Sequence, residues 1–417
     1  MTTATSLGDF DALLAAREIV VCCGSGGVGK TSVAAAIALG AAERLGGRVL
    51  VLTVDPARRL ATALGVGELG NLARRVPDAT LKAAGIEARG ELWAAMLDTK
   101  QSWDELVLRH APDEATAYRI LDNRLYHNLT ARFVQSHDYI AMERLYDLHA
   151  TGEYDLIVVD TPPTRHAIDF LDAPARMAEF FGGRLLRWLT LPYRVGGKRG
   201  TRILDVASRP FYQVADRLLG SRFLQEIAEF FLNFQSMYDG FVERATAVEA
   251  LLADRRTTFV VITTLEDAPL REAERFRVEL TGRGLPVGAM VLNKTLPDWF
   301  MSGDGDVAAQ RFVDDAPALV EALGSSVDTD PTAAARVLRT IGESFRNFAI
   351  VAARETELRQ EIASGASVTV GVPGRADDIA DLGGLAWIAG HLFGSGFDAA
   401  APTGIEAESA SAARITP

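Results

Sequence analysis

Eight residues constrain this chain more than any others: Gly24-Ser25-Gly26-Gly27-Val28-Gly29-Lys30-Thr31, directly after the apolar run Ile19–Cys23. They fit G-x-x-x-x-G-K-[ST], and each requirement of that pattern has a physical reason. Glycines let the backbone curl until its N–H groups point at phosphate oxygens, and a following helix adds the positive end of its dipole. Lys30 then reaches the β- and γ-phosphates, and the Thr31 hydroxyl ligates Mg²⁺. A buried strand, this loop and a helix over 31–45 form the expected unit, with Gly24 through Ser32 as the ATP-binding set.

Further short apolar runs follow the same rhythm: Val49–Val54, Leu92–Leu97, Asp155–Asp160, Thr258–Thr263, Val287–Asn293 and Val368–Val370. Continuous rather than alternating apolar runs are the pattern of parallel strands covered on both faces, and helical stretches follow most of them. The fold class read from this is α/β, a doubly wound, mostly parallel sheet of the P-loop NTPase kind, with an inserted α-helical subdomain. Residues 1–100 carry the first part of the nucleotide domain, 101–150 the first part of the helical subdomain and 151–175 the return to the sheet. Residues 176–254 hold the second helical part, broken at Gly182-Gly183, Pro192 and 196–200, and 255–393 complete the nucleotide domain. The tail, 394–417, is small and polar and is expected to be disordered.

Composition narrows the partners. Asp and Glu outnumber Lys and Arg, 55 to 43, giving a net charge of −12, which argues against nucleic acid. No apolar stretch reaches the length of a transmembrane segment, and the first ten residues lack a signal-peptide pattern. The cysteines, Cys22 and Cys23, are adjacent and point to opposite faces of a strand, so they provide neither a disulfide framework nor a zinc site. A reducing, cytoplasmic setting is expected. The histidines His110, His127, His137 and His149 lack the spacing of a helical metal site. Only five basic residues are lysines, Lys30, Lys82, Lys100, Lys198 and Lys294, so a lysine inside a motif carries weight.

Two carboxylates stand at strand ends. Asp55 follows Val49–Val54, where doubly wound sheets place ligands, and fits either a residue that orients and deprotonates the attacking water or a helix N-cap ahead of Pro56. Asp160 ends the run Leu156–Asp160 and fits a Walker-B carboxylate in the Mg²⁺ shell, with Pro162 and Pro163 keeping the next segment out of helix.

Together with Asp55-Pro56-Ala57, Asp160-Thr161-Pro162-Pro163-Thr164-Arg165-His166 and Phe170–Pro174, the loop resembles the ArsA family. That family comprises arsenite-pump ATPases and the ATPase that guides entry of tail-anchored membrane proteins. The resemblance implies a dimeric Mg-ATPase of the deviant Walker A class, with Asp55 activating water and Asp160 supporting magnesium. It also implies that Asn293 reads adenine, whose edge an amide brackets with one donor and one acceptor, and that Glu266 and Pro373 line the nucleoside.

Three departures accompany the resemblance. Ser25 replaces a second loop lysine that reaches across the family's dimer, which leaves a slow homodimer, help from Arg165, or a heterodimer with a paralogue that keeps the lysine. No Cys-x-x-Cys pair is present, and Arg165 replaces a small residue. The insert carries a stripe of Phe223, Ile227, Phe230, Phe231, Phe234, Met237, Tyr238 and Phe241, which fits packing within the subdomain or a groove for a hydrophobic helix. The function read from all this is an ATP-driven switch acting on a hydrophobic or membrane-associated client, in the cytoplasm or peripheral at the membrane. A positioning ATPase like MinD and ParA, and a nucleotide-binding scaffold with little turnover, are the alternatives.

Overall fold

The computed structural model describes residues 9–54, 59–124, 126–127, 134–161, 227, 230, 232–233, 238–323, 330–363 and 368–394. In chain order its elements begin with α1 (Asp9–Ala15), β1 (Ile19–Cys23), α2 (Lys30–Arg44), β2 (Arg48–Thr53) and α3 (Arg59–Ala63). Next come β3 (Arg74–Arg75), α4 (Asp78–Ala83), β4 (Glu91–Met96), α5 (Thr99–His110), α6 (Glu114–Leu121), α7 (Val134–Ala150) and β5 (Leu156–Asp160). The second half holds α8 (Tyr238–Ala253), β6 (Thr257–Thr263), α9 (Asp267–Gly282), β7 (Val287–Thr295) and a 3-10 turn (Asp298–Met301). It closes with α10 (Gly303–Asp314), α11 (Ala316–Leu323), α12 (Pro331–Ala363), β8 (Val368–Pro373) and α13 (Leu382–Phe393).

The strands make one sheet in the order β3-β4-β2-β5-β1-β6-β7-β8. Every pairing is parallel except β3 with β4, which is antiparallel. The mostly parallel α/β sheet read from the sequence is therefore present, and each apolar run occupies a strand. The two-residue β3 has no apolar signal of its own, since Arg74 and Arg75 are exposed. The chain leaves β1 toward β2 on one side and later crosses from β5 to β6 on the other. That reversal opens a crevice beyond the C-terminal end of β1.

Alternation along each strand divides the core into two layers. Val20, Cys22, Val49, Val51, Val158, Val260 and Ile262 face α1, α2 and α13; Ile19, Val21, Leu50, Leu52, Ile157, Val159 and Val261 face α5, α7, α8 and α9. A fully buried aliphatic side chain contributes about 1.5–3 kcal/mol, so both layers are needed. Helix α2 is alanine-rich and buried from Val33 through Ala42, which lets it lie close on the sheet. At Gly40 a Cβ would sit 2.2 Å from the Phe393 ring, so glycine there sets how near α13 approaches. Helices α5 and α7, from the segment expected to begin the helical subdomain, supply part of the sheet's covering layer through Trp103, Leu106, Val107 and Ile140.

Between β7 and β8, residues 298–323 and 330–363 form a helical excursion ending in the 33-residue α12. Its base is tied to the loop after β7. Leu296 donates its N–H to Glu355 Oε2 at 2.8 Å, and Arg359 Nη2 donates to the Leu296 carbonyl at 3.3 Å. No described helix is long and apolar enough to cross a membrane.

Candidate functional site

The crevice at the end of β1 is filled by the glycine-rich loop. Gly24 must lie flat against β6, because a Cβ there would be 2.0 Å from the Ile262 carbonyl oxygen. Gly29 has φ +90 and is the N-cap residue of α2, with no side-chain cap, so no side chain claims the first N–H groups of the helix. Lys30 is buried, and its ammonium donates to the Ser25 carbonyl at 2.8 Å, closing the loop on itself. The Ser25 hydroxyl is buried without a hydrogen-bond partner among the described residues. Gly26 and Gly27 are exposed, whereas Val28 is anchored in the core. Thr31 and Ser32 open the first turn of α2 and are half-buried.

Asp160 ends β5, the neighbour of β1, and is fully buried. The register sets it beside Cys22 on one side and Thr53 on the other. Thr53 Oγ1 donates to Asp160 Oδ2 at 2.9 Å, and Val54 N–H donates to the Asp160 carbonyl at 3.2 Å. Thr161 turns back across the strand end, its hydroxyl donating to the Cys22 carbonyl at 2.8 Å. Burial raises the pKa of the Cys22 thiol well above its ordinary value, with the Asp160 charge adding to the effect. Burial likewise raises Cys23, so both thiols stay protonated and unreactive. Asp55 and Arg165 lie outside the described residues, as do Phe223, Phe231, Phe234, Met237, the side chains of Tyr238 and Phe241, and the tail beyond Gly394.

The opposite rim comes from β7 and β8. Asn293 is buried, and its Nδ2 donates to the Val28 carbonyl at 2.7 Å. A Cβ on Gly29 would lie 2.4 Å from that same Nδ2, so the loop and Asn293 are fitted together. Lys294 follows with φ +58, and its exposed ammonium donates to the Gly27 carbonyl at 2.9 Å. Pro373 ends β8 opposite Thr295, two residues past Asn293. Glu266 is the exposed N-cap residue of α9, three positions past the end of β6, and its side chain makes no cap hydrogen bond. The fold thus brings the loop, Asp160, Asn293 and Pro373 to one edge of the sheet, with Glu266 on the same edge. Thr53 and Lys294 were not singled out in the sequence. Thr53 gives no signal there, while Lys294 had one, as a rare lysine directly after a candidate binding residue.

A model of the anion-transporting ATPase family matches residues 17–312. An uncharacterized protein of Streptomyces coelicolor is 29% identical over 279 residues, which is 66% of this chain and 62% of that protein. The ATPase GET3 of Malassezia globosa is 23% identical over 66% of this chain and 72% of its own length. The arsenical pump-driving ATPase of Escherichia coli is 25% identical over 69% of this chain and 41% of its own. The chain therefore spans less than two thirds of the Streptomyces relative and less than half of the pump ATPase.

Proposed function

This chain belongs to the anion-transporting ATPase family, and from that premise we propose that it binds ATP with Mg²⁺ and hydrolyses it slowly. The observation that carries the reading is the uncapped start of α2 behind a loop whose backbone is braced by Lys30 inside and by Asn293 across the crevice. The uncapped first N–H groups of a helix, with the helix dipole behind them, suit a phosphate chain. Lys30 is placed to move from the Ser25 carbonyl to the β- and γ-phosphate oxygens. With one Nδ2 hydrogen donated to Val28, the Asn293 amide keeps its Oδ1 acceptor and its second N–H donor for the adenine edge, and Pro373 and Glu266 bound the nucleoside.

The donor set also fits magnesium. Thr31 offers a hydroxyl at the first turn of α2, and Asp160 offers a buried carboxylate on the adjacent strand end, oriented by Thr53. When bound, the ion would neutralise charge on the β- and γ-phosphates. Asp55, two residues beyond Thr53, is assigned to orient the attacking water and accept its proton. Nucleotide state is then read out by the segments after Asp55 and Asp160, in a cytoplasmic homodimer or a heterodimer with a paralogue, on a hydrophobic or membrane-associated client.

Phosphate release with and without Mg²⁺ tests the activity. Lys30→Ala should abolish binding or turnover. Asp55→Asn should keep the nucleotide and lose turnover by roughly 10²–10⁴-fold, the range for a positioned base. Equal turnover in Asp55→Asn and the parent overturns that assignment, and binding without Mg²⁺-dependent release leaves a scaffold. A preference for GTP over ATP counts against Asn293 as the adenine reader. For the client, an apolar dye should report nucleotide-dependent exposure; identical signals in the apo, ADP and ATP-locked forms would assign the Phe-rich stripe to internal packing.

A further inference from the structure

We propose that Lys294 is a second phosphate-binding cation of this site, standing on the rim of the loop at Gly27 and recognising the oxygens of a nucleoside triphosphate. The proposal rests on the reading that the loop holds a nucleotide. Three features of the backbone and side chain lead to it. In the pairing of β7 with β8, Asn293 is opposite Val372 and Thr295 is opposite Pro373, so Lys294 is the extra residue of a β-bulge. Bulges beside sites re-aim a side chain that the regular pleat would direct elsewhere. Lys294 is also the only non-glycine residue at positive φ among the described residues. Glycine or asparagine suits that conformation better, so the backbone gives no reason for a lysine, and the reason lies in its side chain.

The side chain ends at the loop. Its ammonium is exposed and held 2.9 Å from the Gly27 carbonyl, in the stretch where Gly26 and Gly27 face solvent. An ammonium has three donors, and the Gly27 carbonyl takes one. The loop's own sequence carries a single cation, Lys30, which faces inward and is 7% exposed. A triphosphate brings more negative charge than one lysine offsets. Lys294 supplies the second positive charge from a different strand of the same chain, next to the residue assigned to the base.

The test measures binding of a fluorescent ATP analogue and of its ADP counterpart to the full chain, at low and moderate salt, with apo melting temperatures alongside. Lys294→Asn removes the charge but accepts the left-handed backbone. It should melt no lower than the parent, yet bind the ATP analogue roughly 10- to 150-fold more weakly, the range of one charge-assisted hydrogen bond. Its affinity should depend less on salt, and the loss should be larger for ATP than for ADP. Lys294→Arg should recover most of the affinity. Parent-like affinity and salt dependence in Lys294→Asn overturn the proposal while the nucleotide reading stands. So does a fall in melting temperature and affinity that is equally deep in Lys294→Arg, because that marks a packing role. A parent that binds neither analogue, no better than Lys30→Ala, removes the nucleotide reading and this inference together.

Discussion

Asn293 donates its side-chain amide to the carbonyl of Val28, 265 positions earlier in the chain, at 2.7 Å. One hydrogen bond therefore fixes the distance between the phosphate loop on β1 and the edge assigned to the base on β7. Gly29 sits directly beneath it. Gly29→Ala would combine φ +90 with a Cβ 2.4 Å from Asn293 Nδ2, so either the amide or the loop must move. We expect a loss of about 1–3 kcal/mol in stability and at least about tenfold in ATP affinity. Urea melts and nucleotide titration check this, and parent-like values in both would mean that the loop is looser than the contact implies.

Thr53 holds the buried Asp160 carboxylate in place. Thr53→Val keeps the shape and removes the donor, which should cost about 1–3 kcal/mol because a buried charged oxygen loses a partner. The same variant should require more Mg²⁺ for half-maximal phosphate release. An unchanged Mg²⁺ requirement would show that Asp160 does not depend on Thr53 for its orientation.

Gly40→Ala separates packing from chemistry. Its new methyl would be driven to 2.2 Å from the Phe393 ring, at the contact between α2 and α13. Overpacking of this kind costs about 1–3 kcal/mol. The melting temperature should fall while nucleotide affinity of the folded fraction stays within about twofold, a small free-energy change by affinity arithmetic. A large drop in affinity would indicate that α13 controls the start of α2.

Cys22 and Cys23 should resist alkylation at neutral pH in the folded chain and react after denaturation. Both are buried, with pKa values raised by that burial, so little thiolate is present to attack. Intact-mass measurement after brief iodoacetamide treatment reads the outcome. Rapid modification without denaturant would contradict the packing of β1.

The loop and every strand but the two-residue β3 were legible in the order of residues alone. Continuous runs such as Ile19–Cys23 and Leu156–Asp160 are apolar because helices cover both faces of a parallel sheet, and that burial is written locally in residue type. The tight turn between β1 and α2 was legible for the same reason, since its close approach at Gly24 and positive φ at Gly29 restrict residue type position by position. Asp160 was legible from its place at a strand end. What those residues touch was settled by packing across the sheet. That Thr53 orients Asp160 depends on β2 lying beside β5, a neighbour more than a hundred residues away. That Lys294 reaches Gly27 depends on a bulge against β8, which no periodicity encodes. Likewise, the clamp of Glu355 and Arg359 on Leu296 follows from where α12 packs, and nothing in the composition of that segment announces it. Local composition selects an element, and long-range register selects its partner.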